Sequence, residues 1–169
     1  MENIKEIKEK LKSYRPNSWD SIPDIELYMD QVIGYMQRQH IGFEGDENLT
    51  PAMINNYIKS NLLPRAKGKR YNRQHIAYLT AICLLKQVLS VGDTGLLLKE
   101  QLEDKDIQCF YENYLKTLDD EFNITSEKID ESATKNQLAQ KALELAVSSY
   151  ANKLACEKIL KILAKDNPE

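Results

Sequence analysis

One segment of the chain, residues 73 to about 91, constrains the fold most because it is apolar around most of a helical circumference. Its apolar side chains leave no continuous polar face; they are Ile76, Leu79, Ile82, Cys83, Leu84, Leu85, Val88 and Leu89. A helix that is apolar on all sides has to be covered on several of them. The segment therefore predicts the central helix of a domain, with other elements packed around it.

The surrounding elements are predicted to be helical as well. The chain of 169 residues contains only 6 Gly and 5 Pro, and long stretches consist of good helix formers. The spacing of apolar residues predicts further helices over about 1–14, 24–40, 96–120 and 126–165. A polar, glycine-containing loop is predicted over 42–48. The sequence thus predicts an all-α protein with enough length to bury its own core.

A short helix is predicted between these longer ones, from Pro51 to Lys59 or Ser60. Thr50 can cap the free amide groups of its first turn, and proline fits the first helical position. At the other end, Asn61 is a residue type that tolerates the left-handed conformation that closes a helix. Pro64 then favours an extended exit from the helix.

The stretch that follows the short helix is basic and has a glycine at its centre. Residues 65–71 read Arg-Ala-Lys-Gly-Lys-Arg-Tyr. Two brief extended arms around Lys67 and Gly68 predict a small β-hairpin. Asn72 is then predicted to cap the apolar helix over 73 to about 91.

The charges of the chain are distributed unevenly. Between Leu49 and Gly92 there is no Asp or Glu, whereas seven cations lie there: Lys59, Arg65, Lys67, Lys69, Arg70, Arg73 and Lys86. The rest of the chain carries the other 16 of the 23 cations together with all 26 acidic residues. The overall net charge of −3 hides this asymmetry. A basic module inside an acidic chain predicts binding to a polyanion.

The order of these elements predicts a winged helix-turn-helix domain with a β-hairpin wing, followed by a helical extension. The domain is expected over 19–92, after an arm or short helix over 1–18, and 93–169 is expected to serve dimerisation or the binding of an effector or partner. In such a domain the short helix enters the major groove of DNA and the wing lies on the phosphates. The predicted base contacts are Asn55, Asn56 and Lys59. The predicted contacts to the DNA backbone are Thr50, Arg65, Lys67, Lys69, Arg70, Tyr71 and Arg73.

The short helix and its exit resemble those of MerR-type transcription regulators. The similar stretch runs from Met53 to Pro64, and 68–71 resembles the wing of that family, with Ile76, Leu79 and Ile82 in the helix after it. Tyr57 and Leu62 match the family pattern, Asn61 replaces its glycine and Lys69 its wing arginine. Asn55 and Ile58 depart from the usual Arg and Glu. The resemblance implies a MerR-like fold and DNA binding.

A longer stretch, about Trp19 to Phe110, resembles a bacterial family catalogued as domain of unknown function 1836. The resemblance rests on the stretch from Trp19 to Ile25 and on four short motifs: Leu49-Thr50, Asn56-Tyr57, Leu63-Pro64 and the run from Lys69 to Asn72. It implies a regulator-like fold and no established activity.

Three functional classes remain open at this point. The first is a DNA-binding transcription regulator, with duplex DNA as its partner, a possible homodimer through the C-terminal helices and any small-molecule effector unknown. The second is a non-enzymatic module that keeps the same fold and contacts an acidic protein. The third, an enzyme, has no motif to support it, and we expect neither a metal site nor a cofactor. No signal peptide or membrane span is evident, so a cytoplasmic location is expected.

Overall fold

A computed structural model of the chain describes residues 3–39 and 48–166. Within them the backbone forms α-helices and no β-strand, so the all-α prediction is confirmed. The helices are α1 (Ile4–Ser13), α2 (Met29–Met36), α3 (Pro51–Lys59), α4 (Arg73–Leu85), α5 (Val91–Leu102), α6 (Ile107–Glu127) and α7 (Lys135–Asp166). The chain divides into two compact units, Arg15–Lys116 and the pair of segments Met1–Tyr14 and Thr117–Glu169.

The Arg15–Lys116 unit is built around α4, as the sequence predicts. Ile76, Leu79 and Ile82 are buried, and α2 contacts both α4 and α3. The side chains packed around α4 come from the other helices of the unit and from the segments between them, and include Ile22, Val32, Ile54, Leu63, Leu98 and Tyr111. Burial of this apolar surface is the main contribution to the stability of the unit.

The ends of α3 are closed in the way that the sequence predicts. The hydroxyl oxygen of Thr50 accepts the Met53 N–H at 3.2 Å, and Pro51 occupies the first helical position. At the other end Asn61 has φ 57°, and the Leu62 N–H donates to the Tyr57 carbonyl at 2.9 Å. Both ends of this helix are therefore fixed by local hydrogen bonds.

The prediction of a β-hairpin wing is wrong. The described residues around Gly68 contain one isolated antiparallel bridge, between Lys67 and Arg70, and no strand. The next residue, Tyr71, pairs instead with Leu27, through Leu27 N–H to Tyr71 O at 2.7 Å and Tyr71 N–H to Leu27 O at 2.8 Å. Because Tyr71 is paired elsewhere and α4 begins two residues later, no backbone remains for a hairpin ladder.

The helix predicted over 24–40 is shorter at both ends, since α2 runs from Met29 to Met36 and Gln37 to Gln39 form a turn. Pro23 to Tyr28 precede it without forming a helix, because Leu27 is held in the bridge to Tyr71. The backbone N–H of Tyr28 donates to the Gln31 side chain at 2.9 Å, which sets the first turn of α2. His40 and residues 42–47 of the predicted loop lie outside the described residues.

Three helix boundaries in the second half of the chain also differ from prediction, each at a capping residue. α4 ends at Leu85 rather than near 91, because the Ser90 hydroxyl accepts the Asp93 N–H at 3.1 Å and starts α5. The helix predicted over 96–120 is two helices, since the Asp106 carboxylate accepts the Cys109 N–H at 2.8 Å. The last helix starts at Lys135 rather than 126, where Thr134 and Gln137 bond to each other.

The second unit joins α1, the C-terminal part of α6 and α7. Asn3 and Glu6 form a capping box that starts α1, and Lys8 lies 3.7 Å from the Glu131 carboxylate. The buried side chains of the unit come from all three helices and from the segment between α6 and α7: Leu11, Leu118, Ser126, Ile129 and Leu160. In α7, described for burial up to residue 165, Leu160 is the only fully buried side chain, although the helix is 32 residues long.

Candidate nucleic-acid interface

The face of α3 that is directed away from the core carries the three predicted base contacts. Ile54 and Tyr57 are buried and fix the orientation of the helix, while Asn55, Asn56 and Lys59 are exposed. The side chains of these three residues form no hydrogen bond or ion pair with any other described residue. A face of this kind has its donors and acceptors available for a ligand.

Thr50, a predicted phosphate contact, lies at the start of the same helix. Its hydroxyl oxygen is occupied as the acceptor for Met53 N–H, but the hydroxyl group can still donate its hydrogen. Because the residue is exposed, that hydrogen can reach an anion near the first turn. The positive end of the helix dipole favours an anion at the same place.

The basic turn, defined here as residues 67–70, is tight and presents two lysines. Gly68 and Lys69 have φ values of 57° and 61°, and the Arg70 N–H donates to the Lys67 carbonyl at 3.0 Å. Positive φ at both central residues is the arrangement of a type I′ turn. Lys67 and Lys69 are exposed and form no ion pair within 3–39 and 48–166.

Arg70, at the end of the basic turn, is held by residues that precede α2. Its guanidinium donates to the Glu26 carboxylate at 3.2 Å and lies 5.7 Å from the centre of the Tyr28 ring. Half of both charged side chains remains exposed, 53% for Arg70 and 56% for Glu26. Arg70 therefore fixes the position of the turn, and its charge is partly neutralised by Glu26.

Arg73 and Tyr71, both predicted to contact DNA, are engaged within the fold. Arg73 donates from Nε to the Ile22 carbonyl at 3.1 Å and lies 5.6 Å from the centre of the Trp19 ring. Tyr71 is only 4% exposed, and burial raises the pKa of its phenol above the usual value. These two side chains hold the start of α4 and are not presented to solvent as Lys67 and Lys69 are.

Arg65 completes the set of predicted contacts at the exit from α3. It is exposed and makes no ion pair with an acidic residue in the described ranges. Among the predicted contacts, the exposed cations that form no ion pair with a described acid are thus Lys59, Arg65, Lys67 and Lys69. All four come from the acid-free stretch of the sequence, so no carboxylate nearby in the chain neutralises them.

Sequence reasoning missed two residues of this region, Glu26 and Tyr28. Both lie far upstream of the basic turn, and they reach Arg70 because the Leu27–Tyr71 bridge places their segment beside it. No local pattern indicates such a pairing, since residue 27 follows Pro23 in what reads as the start of a helix.

A comparison with known protein families finds a match over most of the Arg15–Lys116 unit. Residues 17–114, more than half of the chain, match the model of a family described as "Domain of unknown function (DUF1836)". The chain belongs to this family. The predicted resemblance over Trp19 to Phe110 is thereby confirmed, and the DUF1836 match lies within the Arg15–Lys116 unit. No curated protein and no solved structure matches the chain.

The DUF1836 match carries no information on a likeness to MerR-type regulators. Among the described residues there is no cluster of three or more His, Cys, Asp or Glu side chains that could hold a metal ion. The helices in the same ranges include none that is long and apolar enough to cross a bilayer.

Proposed function

We propose that the chain is a DNA-binding transcription regulator in which α3 enters the major groove and the basic turn lies on the phosphate backbone. The observation that carries the proposal is the exposed face of α3. There Asn55, Asn56 and Lys59 have no partner among the described residues, on a helix whose other face is anchored in the core. The packing of α3 against α2 supports this role, since a reading helix has to be held rigidly.

The chemistry of this face suits base edges. An asparagine side chain can form two hydrogen bonds to one adenine. Its amide NH₂ donates to N7, and its amide oxygen accepts from the N6 amino group. Lysine can donate to guanine or to a phosphate. An α-helix with its side chains is about 10–12 Å in diameter, which fits the major groove of about 12 Å width, and α3 presents nine residues to it.

The cations divide into two groups in this proposal. Lys67, Lys69 and Arg65 are exposed and contact phosphates, and Thr50 donates its hydroxyl at the start of α3. Arg70 and Arg73 act mainly as positioning residues, because each is bound to a group of the fold. Tyr71 acts through its packing against His75, with ring centres 5.3 Å apart, rather than through contact with DNA.

A regulator of this kind binds two-fold operators as a dimer, and α7 offers a surface for one. We define the α7 stripe as Leu143, Val147, Tyr150 and Leu154, which are 58%, 59%, 68% and 42% exposed. Their spacing of four, three and four residues places them on one face of the helix. Leu160, which is buried, lies on the side that packs within the unit, so the stripe is a second apolar face of α7.

The experiment that tests this function is titration of fluorescent duplexes with the full chain at low and at physiological salt. One duplex carries the DNA upstream of the protein's own gene and the other a random sequence of equal length. Tighter binding to the upstream DNA, with affinity that falls steeply with salt, is the expected result. Absence of binding to both duplexes at low salt, by folded protein, would overturn the proposal and direct attention to an acidic protein partner.

Three variants separate reading from positioning. Asn56→Ala is expected to cost about 1–3 kcal/mol on the cognate duplex and little on the random one. Lys67→Ala is expected to weaken binding to both duplexes and to lower the salt slope by about one. Lys105→Ala, which removes an exposed lysine of the segment between α5 and α6, is the control and should bind like the wild type. Equal losses on both duplexes for Asn56→Ala would contradict base reading by α3.

A further inference from the structure

A pocket of about 240 Å³ lies beside the C-terminal end of α3, within the Arg15–Lys116 unit. Its wall is formed by the last turn and exit of α3, by Tyr78 of α4 and by one face of α5. The apolar part includes Leu62, Leu63 and Leu98, which are 4%, 2% and 4% exposed. The pocket thus has a rigid apolar floor that belongs to the core of the unit.

The charged side chains that line this pocket are both cations. Arg65 lies on the exit from α3 and Lys99 on α5. No carboxylate lines the pocket, and neither cation forms an ion pair with an acid in the described part of the chain. An open pocket with an apolar floor and two cations without an acidic partner is complementary to an anion with an apolar body.

Two further lining residues shape what can enter. Burial raises the pKa of the Tyr78 phenol above its usual value, so its hydroxyl stays a neutral donor at any physiological pH. Gly95 has no side chain and so leaves space on the α5 side of the pocket. A Cβ at this residue would lie 3.6 Å from Leu62 Cδ1, which is an ordinary van der Waals contact. Any longer side chain at residue 95 would extend into the pocket.

We propose that this pocket binds a small organic anion, an aromatic or short-chain carboxylate or sulfonate. Its apolar part would lie on Leu62 and Leu98 and its anionic group between Arg65 and Lys99. The volume is slightly below the range of about 300–1,000 Å³ that holds drug-sized ligands. An aromatic acid of one to three rings or a short acyl acid therefore fits better than a nucleotide or a long lipid.

The site has a consequence for DNA binding, and this step rests on the proposed function. Arg65 is both a lining residue and a proposed phosphate contact, and Ile58 and Asn61 of the pocket belong to the end of α3. A bound anion would occupy the charge of Arg65 and compete with a phosphate for it. Binding of the anion and of duplex DNA should then weaken each other by the same factor.

The test uses two fluorescent probes and needs no DNA. Anilinonaphthalene sulfonate supplies an apolar body with an anionic group, and phenylnaphthylamine supplies the same kind of body without the charge. Both are titrated into the full chain and into variants. Gly95→Leu fills the pocket, and its matched control is Gly92→Leu, on the same helix, where a Cβ meets only Ser90 Oγ at 4.0 Å.

We expect Gly95→Leu to weaken binding of both probes by at least about tenfold relative to Gly92→Leu, since it removes the cavity. Arg65→Gln and Lys99→Gln should each weaken the sulfonate by about fivefold and leave the neutral probe unchanged. Lys105→Gln, an exposed lysine outside the pocket, is the control for net charge. Circular dichroism of each variant confirms that it folds.

Equal affinity of Gly95→Leu and Gly92→Leu for the sulfonate would overturn the site, and so would equal effects of Arg65→Gln on the charged and neutral probes. The outcome is independent of DNA binding. A chain that binds the sulfonate at this pocket but no duplex retains the site and loses the proposed function. A chain that binds duplex but shows no pocket-dependent probe binding retains the function and loses the site.

Discussion

Leu27 and Tyr71 exchange two backbone hydrogen bonds, of 2.7 and 2.8 Å, that join the segment before α2 to the end of the basic turn. Both residues are buried, so the bonds are protected from water and the pairing is firmly held. It places Glu26 and Tyr28, the two neighbours of Leu27, against Arg70. The position of the basic turn is therefore set by residues that precede α2.

This pairing leads to a prediction for Glu26→Gln. The change removes a carboxylate from Arg70, so we expect about two- to threefold tighter binding to random duplex at low salt, an increase that disappears at high salt. Loss of an exposed ion pair should lower the free energy of unfolding by only about 0.2–1 kcal/mol. Fluorescence anisotropy at several salt concentrations and urea unfolding measure the two effects.

The control for that experiment is Asp24→Asn, which removes one negative charge nearby at a residue that forms no ion pair with a described residue. It should increase affinity less than Glu26→Gln does. If the two variants bind equally tightly, the gain comes from net charge and not from the release of Arg70.

Lys69 is one of the few non-glycine residues with positive φ, 61°, and this makes Lys69→Gly an informative change. The left-handed conformation costs a side chain about 1–2 kcal/mol, whereas glycine costs about 0.5–1 kcal/mol through the entropy of the unfolded chain. We expect a free energy of unfolding equal to or slightly above that of the wild type, together with a salt slope smaller by about one.

Lys67→Ala is the comparison for this variant, because it removes the same charge at the other end of the turn without a positive φ. It should lower the salt slope equally and give no gain in stability. A full salt slope in Lys69→Gly would show that Lys69 contacts no phosphate.

Much of this region could be predicted from the sequence because its signals are local. Thr50 and Asn72 cap helices through side-chain bonds to residues three positions on, and Asn61 adopts positive φ. Such preferences follow from the residue type and its nearest neighbours. The exposed face of α3 follows in the same way, from the spacing of Ile54 and Tyr57.

The features that could not be predicted depend on contacts between distant segments. The residues around Lys67-Gly68 alone predict a hairpin, but the partner of Tyr71 is Leu27, and this pairing removes Tyr71 from any ladder across the turn. Likewise Arg70 and Arg73 read as free cations, although Glu26 and the Ile22 carbonyl bind them. Helical periodicity also runs through Ser90 and Asp106, so it does not reveal that each starts a new helix.

His75 provides a prediction for pH. It is buried at the third position of α4, where its Nδ1 accepts the Asn72 N–H at 3.1 Å. Burial lowers the pKa of His75 below its usual value, against the opposite effect of the Arg65 and Pro64 carbonyls. The unfolded chain then binds more protons at His75 than the folded chain does. The contribution of His75 to the free energy of unfolding is therefore fully present above the unfolded pKa of about 6.5, and it is lost as the pH falls below that value.

The matching variant is His75→Gln, which keeps an acceptor for Asn72 N–H in a standard capping box but does not titrate. The urea concentration at the unfolding midpoint should decrease from about pH 7.5 to about pH 5, and this decrease should be larger for the wild type than for the variant. The carboxylates titrate in both proteins and cancel in the comparison. Equal decreases would mean that protonation of His75 does not contribute to acid sensitivity.

The α7 stripe predicts the oligomeric state. Four large apolar side chains at the spacing of a helix pair are expected to bury each other in a second copy of the chain. Tyr150→Glu places a charge in the middle of this contact and should give a monomer by light scattering, with weaker binding to upstream DNA because two half-sites no longer act together. Ser148→Glu, which adds the same charge at an exposed residue on a different face of α7, should remain a dimer.

The charges beside the stripe predict the direction of the pair. In a parallel pair, Lys153 of each copy would lie beside Lys158 of the other, and like charges at these positions are unfavourable. In an antiparallel pair, Leu143 faces Leu154 of the second copy and Val147 faces Tyr150.

In a background where Cys83, Cys109 and Cys156 are replaced by alanine, a mixture of Leu143→Cys and Leu154→Cys chains should therefore form a disulfide under mild oxidation. Leu143→Cys alone should not, because its two copies would be separated by about 16 Å along the helices. Efficient disulfide formation by Leu143→Cys alone would instead indicate a parallel pair.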